Sequence, residues 1–396
     1  MTRKELSDKF IASTSNNFIL QLPTSYGKTL LALQKINQWY DANPNLRIII
    51  VIPRLVLEDT WKEEINKFKF NKLLPNIRFI TYVSLPKLMG KSFDVIVFDE
   101  CHHTSERCRT ALQHIKVEHV IGLSATIKRE LLQFFKYKYK CEVLNIAVKD
   151  AIESEVLPDP KVIVIPIKLD NTVANQVIEK KSKRKGLQPI TINYQDRRKY
   201  RRYTGPLRIL CTQQQYYEDL STLIDWYKQQ SMHNAAMKNS WLHKAGDRLK
   251  WLAKQKEDII KSILKALKNY RVLTFCQSIK QSESLGCPCV NSKIGTDNLD
   301  KFNNKEIKHI ASIDMLNEGL NPIDCKVGLF QMLNSSQRIS IQRSGRILRH
   351  KEPVLIFPYF INSREQEIIM EILKDYNPKL ITKLEVKDIK DIKKYL

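Results

Sequence analysis

Residues 21–29, QLPTSYGKT, constrain this chain more than any other stretch, because an apolar run, a tight turn and a helix start follow one another within a few residues. Residues 17–22 end apolar, and residues 30–40 carry helical spacing, so the turn sits where a strand hands over to a helix N-terminus. Backbone N–H groups at such a terminus attract anions. Gly27 lets the backbone approach a phosphate, Lys28 reaches toward β and γ phosphates, and the Thr29 hydroxyl is placed to hold Mg2+. Pro23, Thr24, Ser25 and Tyr26 complete the cradle. Leu22 stands where the full pattern has glycine, so on this stretch alone the competing reading is an ordinary strand–turn–helix with a surface lysine.

A second element weighs against that alternative. Residues 93–103, FDVIVFDECHH, read as a buried strand ending in two carboxylates. An acid at the end of a neighbouring parallel strand faces a phosphate cradle. There Asp99 would hold the Mg2+ shell and Glu100 would polarise an attacking water.

With both blocks in hand the chain resembles the superfamily 2 helicases and translocases, with Asp99, Glu100, Cys101 and His102 as the DExH box. The family's other motifs follow in order. Residues 51–61 match motif Ia, 81–85 the segment before the box, and Ser124, Ala125 and Thr126 the SAT of motif III. Residues 275–278 resemble motif IV, 312–321 motif V, and 342–349, QRSGRILR, motif VI. Within the superfamily the PTS form of the cradle and the long gap after SAT are most similar to phage UvsW-type and restriction-translocase-type enzymes.

The resemblance implies an ATP- and Mg2+-dependent enzyme whose site is completed from two cores. Arg346 and Arg349 would bring positive charge to the γ phosphate from the second core, with Gln342 lining the same cleft and Gly319 facing the nucleotide. His102, Ser124 and Thr126 would couple hydrolysis to movement. Pro53, Arg54, Thr81, Ser278 and Ser312 would grip a nucleic-acid backbone without reading bases. Asn321 stands where motif V commonly has an acid, and no aromatic–Gln pair precedes the cradle to read adenine.

The expected fold is α/β, with two RecA-like parallel-sheet domains in tandem and a basic, largely helical insertion between them. Short β-branched runs at 48–52, 77–80, 95–98 and 119–123 alternate with helical patterns, which predicts a doubly wound sheet over residues 1–150. A second series begins at 271–275, giving a second core over 269–396. Residues 151–268 form the linker strand, basic stretch and helices. In them, residues 179–203 are dense in Lys and Arg with Tyr194, Tyr200 and Tyr203 interleaved. Arg197, Arg198, Arg201 and Arg202 are thus candidate phosphate contacts beside stacking rings, the alternative being a solvated hairpin. Trp226, Trp241 and Trp251 read as packing residues of the helices.

A net charge of +24 over 396 residues favours polyanionic partners. The chain shows neither a basic amphipathic helix nor a lipidation motif, so a membrane is not expected as partner. Eight cysteines without paired spacing fit reduced thiols in an intracellular, soluble setting. The nucleic acid is expected to be DNA rather than RNA, in replication, recombination or repair. An RNA-remodelling enzyme and a motor subunit serving a partner nuclease or replication factor remain the alternatives.

Overall fold

In the computed structural model the described residues are 2–182, 186–276, 278–290, 295, 297–313, 322–333 and 344–396. The first lobe is built on strands β1 (Asn17–Gln21), β2 (Ile48–Ile52), β3 (Ile77–Thr81), β4 (Ser92–Phe98), β5 (Lys116–Ser124) and β6 (Glu142–Asn145). They pair in parallel throughout, in the order β3-β2-β4-β5-β1-β6. A parallel sheet is covered on both faces, so its strands are continuous apolar runs, and all five residues of β2, IIIVI, are buried. The period of two divides each strand between two cores. Leu20, Ile50 and Val97 join one hydrophobic cluster, and their neighbours Ile19, Val51 and Ile96 join another on the opposite face.

The second lobe has seven parallel strands and draws on distant parts of the chain. Strand β7 (Lys161–Ile167) leaves the first lobe directly for this sheet, ahead of the small sheet formed by β8 (Gln176–Lys180), β9 (Ile190–Asn193) and β10 (Leu207–Cys211). The remaining strands are β11 (Val272–Phe275), β12 (Cys289–Val290), β13 (His309–Ser312), β14 (Val327–Phe330), β15 (Val354–Phe360) and β16 (Ile381–Lys383). Their order is β12-β13-β11-β14-β15-β7-β16.

In this order part of the stretch between residues 150 and 268 enters the second lobe. The segment 161–167 is an internal strand of the second sheet, fully registered against β15. The helices that follow the small sheet are also welded to this lobe. Helices Gln213–Ser231 and Ala235–Gln255 contribute Tyr217, Leu249, Leu252 and Ala253 to its core, and helix Glu257–Ala266 contributes Ile260, Ile263 and Leu264. Between them Lys256 is fully buried, donating to Glu365 Oε1 at 2.6 Å and to the Pro358 carbonyl at 3.0 Å. Breaking a buried pair of this kind costs about 3–5 kcal/mol because one charge is left stranded. Helical spacing alone could not show this attachment, since an amphipathic stripe does not say which core it faces.

Of the three tryptophans read as packing residues, Trp251 stacks on Tyr216 with centroids 4.9 Å apart and donates to Gln176 Oε1. Trp226 instead is half exposed against Tyr227.

Candidate nucleotide site between the lobes

The cradle lies between β1 and helix Lys28–Ala42. Two of its residues occupy left-handed backbone, Ser25 at φ 71° and Gly27 at φ 102°. Gly27 is the helix N-cap, and that conformation suits a residue without a Cβ. The Lys28 ammonium donates to the carbonyls of Leu22 (3.1 Å) and Pro23 (3.3 Å), and desolvation lowers its pKa against the opposing pull of Glu100 and Asp99. Thr24 Oγ1 is buried with no hydrogen-bond partner among the described residues.

Across from the cradle, β4 delivers Asp99 and Glu100. Burial and the neighbouring Glu100 charge push Asp99 up to about 6, against a hydrogen bond from Trp61 Nε1 (3.0 Å) and the charge of Lys28. Glu100 goes the other way. Although burial raises it, a hydrogen bond from His102 and the charges of Lys28, His102 and Arg346 hold it below the usual carboxylate range. The adjacent acids are thus pushed in opposite directions, Asp99 up and Glu100 down.

Glu100 has φ 47°, a strained value that turns the following CHH turn back toward β5. His102 Nδ1 lies 3.3 Å from Glu100 Oε2 and 2.9 Å from Ser124 Oγ. The Ser124 hydroxyl spends its proton on the Thr126 carbonyl at 2.7 Å, so it accepts from the ring, and Nδ1 carries the hydrogen. His102, Ser124 and Thr126 therefore form one chain ending on Glu100.

The second lobe closes the cleft. Arg346 is buried and close enough for its charge to bear on Lys28 and Glu100. Arg349 lies exposed at the cleft mouth, and its Nε donates to Ser25 Oγ at 2.8 Å. The same hydroxyl donates to the Gly345 carbonyl at 2.9 Å. A Cβ on Gly345 would come within 2.5 Å of Thr24 Cβ, so only glycine permits this approach. Leu348 buries itself in the first lobe's core, worth about 1.5–3 kcal/mol toward closure. The resulting cleft of ≈ 1100 Å³ is lined from both lobes by Lys28, Thr29, Asp99, Glu100, Arg346 and Arg349, among others. Gly319 and Gln342 lie outside the described residues.

The residues present fit a nucleotide with Mg2+. The orphan Thr24 hydroxyl sits in the cradle, and Thr29 with Asp99 offers hard oxygen donors beside a phosphate seat. Among the described residues no cluster of three or more His, Cys, Asp or Glu side chains forms a self-sufficient metal cage.

The four contacts for a polymer backbone that sequence motifs proposed in the lobes, together with Pro53, sit at or just past the carboxyl ends of β2, β3, β11 and β13. Arg54 is exposed, and Thr81 is half-buried with its Oγ1 3.2 Å from Ser84 Oγ. Ser278 caps helix Ile279–Ser284 by accepting from the Gln281 N–H. Ser312 is buried, with its hydroxyl donating to the Ile313 carbonyl at 2.9 Å. In the small sheet, Arg198, Arg201 and Arg202 are exposed. Arg197 is exposed too, but lies 4.0 Å over the Tyr194 ring and 3.6 Å from Asp219. Trp61, Tyr82 and Gly345 fall inside the motif segments 51–61, 81–85 and 342–349, but the sequence assigns them no role. Trp61 reads as core in the row Leu57, Trp61, Ile65, and nothing in that spacing signals what its N–H does.

Among the described residues no helix is long and apolar enough to cross a membrane. The model of the Type III restriction enzyme res subunit matches residues 2–129, and that of the helicase conserved C-terminal domain matches 255–351. The DNA 3'-5' translocase XPB2 of Sulfurisphaera tokodaii is 25% identical over 358 residues, covering 84% of this chain and 75% of the relative. Yeast (S. cerevisiae) Dbp5 bound to RNA and ADP BeF3 superposes with a TM-score of 0.60 at 12% identity, covering 99% of this chain and 93% of that one. The ATP-dependent Type ISP restriction-modification enzyme LlaBIII bound to DNA gives 0.59 at 12%, covering all of this chain and 32% of that one. With one helicase-family model on each lobe and a cleft shared between them, the chain belongs to the superfamily 2 helicases and translocases.

Proposed function

We propose that this protein hydrolyses ATP and couples the turnover to movement along nucleic acid, DNA in preference to RNA. Its family implies ATP-driven translocation in general. The observation that carries the finer reading is the meeting of Lys28, Asp99 and Glu100 from one lobe with Arg346 and Arg349 from the other around one cleft. The relative XPB2, a DNA translocase, supports DNA.

In this reading Lys28 exchanges the Leu22 and Pro23 carbonyls for phosphate oxygens. Bound Mg2+, held by Thr29 and Asp99, would neutralise charge on those oxygens. Glu100, kept ionised, accepts a proton from the attacking water, and the imidazole of His102 keeps its carboxylate oriented. Arg346 answers the charge that develops at the transition state. Arg349 must leave Ser25 to join it, which makes closure of the lobes responsive to what occupies the cradle. Arg54 and Thr81 on one lobe and Ser278 on the other hold the polymer backbone, so opening and closing changes the spacing between grips. The exposed arginines of the small sheet add a salt-sensitive hold.

Steady-state ATP turnover with single-stranded DNA, branched DNA and RNA, run beside a strand-separation assay, tests this. DNA should stimulate most, and stimulation without separation marks a translocase. Equal turnover with and without every polymer would contradict it.

A further inference from the structure

Asp99 is held from three sides, and each hold leads to a different part of the sheet's carboxyl edge. Its backbone N–H donates to the Val51 carbonyl at 2.9 Å, extending the β4–β2 ladder by one step. Its side-chain Oδ2 accepts from Trp61 Nε1 at 3.0 Å. Its own carbonyl accepts from the Tyr82 hydroxyl at 2.7 Å. Both aromatic side chains are buried, so neither bond competes with water.

The origin of those two rings is the informative part. Trp61 sits on helix Leu57–Lys67, whose first turn is tied to the preceding loop by Leu57 N–H to the Arg54 carbonyl (3.1 Å) and Glu58 N–H to the Leu55 carbonyl (2.9 Å). That loop carries Pro53 and Arg54. Tyr82 directly follows Thr81, in a turn closed by Ser84 N–H to the Thr81 carbonyl at 2.9 Å, and its own carbonyl accepts from the Cys108 thiol. Thus both first-lobe segments read as polymer grips send an aromatic donor to the same aspartate. Neither link passes through His102, Ser124 or Thr126.

We infer that Trp61 and Tyr82 are positioning residues that fix Asp99 for the metal–nucleotide complex and convey to it whether a polymer is held at Arg54 and Thr81. A strand pressed on the two loops shifts a helix and a turn that are rigidly bonded to them. Because Trp61 and Tyr82 are bonded to Asp99, the shift reaches the site without a change elsewhere in the lobe. The inference rests on the proposed function, since it needs a nucleic acid at those loops.

The test uses the full chain with Trp61→Phe and Tyr82→Phe, each of which keeps an aromatic ring and removes one donor. Binding of a fluorescent, non-hydrolysable ATP analogue is titrated against Mg2+, with and without single-stranded DNA, and thermal melting confirms folding. In Trp61→Phe the Mg2+ needed for half-maximal binding should rise about 10-fold or more, the usual effect of losing a partner behind a metal-holding group. In both variants the ratio of nucleotide affinities with and without DNA should fall toward one, while DNA affinity without nucleotide stays as in the wild type. Tyr82→Phe removes only a hydroxyl, so it decides the case if the tryptophan variant does not fold. An unchanged ratio in folded variants, beside a clear DNA effect in the wild type, would overturn the aromatic relay and leave the functional reading intact. No DNA effect in the wild type would overturn both.

Discussion

The cleft and the small basic sheet both present cations to phosphates, yet they are built in opposite ways. In the cleft Lys28 and Arg346 are partly or wholly withdrawn from water, Lys28 and Glu100 are bonded within their own turns, and Asp99 and Ser25 each have a partner in another segment. In the small sheet Arg198, Arg201 and Arg202 stand in solvent over a minor core of Ile192, Leu207 and Ile209. The difference follows from the work each would do. Stabilising a transition state requires charges fixed and desolvated beforehand, because interactions in a dry site are stronger and need no reorganisation. Holding a polymer at any sequence requires only counterion release, which solvated arginines supply.

If that contrast is right, substitutions in the cleft should damage chemistry far more than those in the small sheet. Lys28→Ala should abolish turnover, and Glu100→Gln should lower it by about 10^2–10^4-fold while preserving nucleotide binding, since the carboxylate serves the water and not the phosphates. Steady-state turnover beside nucleotide titration separates the two. A smaller effect is expected of Gly345→Ala, whose new Cβ meets Thr24 and holds the lobes apart. A displacement near 1 Å costs about 10^2-fold in rate, so turnover should drop by that order with nucleotide affinity much less changed. Smallest for chemistry is the triple replacement of Arg198, Arg201 and Arg202 by alanine. DNA-free turnover should stay at the wild-type level, and the slope of log DNA affinity against log salt should flatten by about 0.9 for each phosphate that an arginine no longer neutralises. An unchanged slope would return the small sheet to a solvated structural role.

The fold of the first lobe was largely legible in the sequence because its candidate site residues lie at the ends of continuous apolar strands, where a local pattern marks both strand and turn. The runs at 48–52 and 95–98 fall within buried strands, and the PTSYGKT turn sits where strand gives way to helix. The second lobe was less legible since its sheet is assembled from β7, β11–β15 and β16, separated by the small sheet and helices. Periodicity identifies a strand at 161–167 without saying which sheet takes it. The same limit hid the partners of known motif residues. Ser25 is written as a cradle residue, but that its hydroxyl bonds the second lobe depends on how Gly345 packs against Thr24. Ser312 keeps its place at a strand end while its side chain turns inward.

The central claim is that the two lobes share one catalytic site, and Arg346→Ala tests it most directly. Turnover and nucleotide affinity are measured side by side on the full chain. Removing a cation that acts mainly at the transition state should lower turnover by about 10^3–10^5-fold, with a far smaller loss of nucleotide affinity. Turnover close to that of the wild type would contradict a site completed from the second lobe.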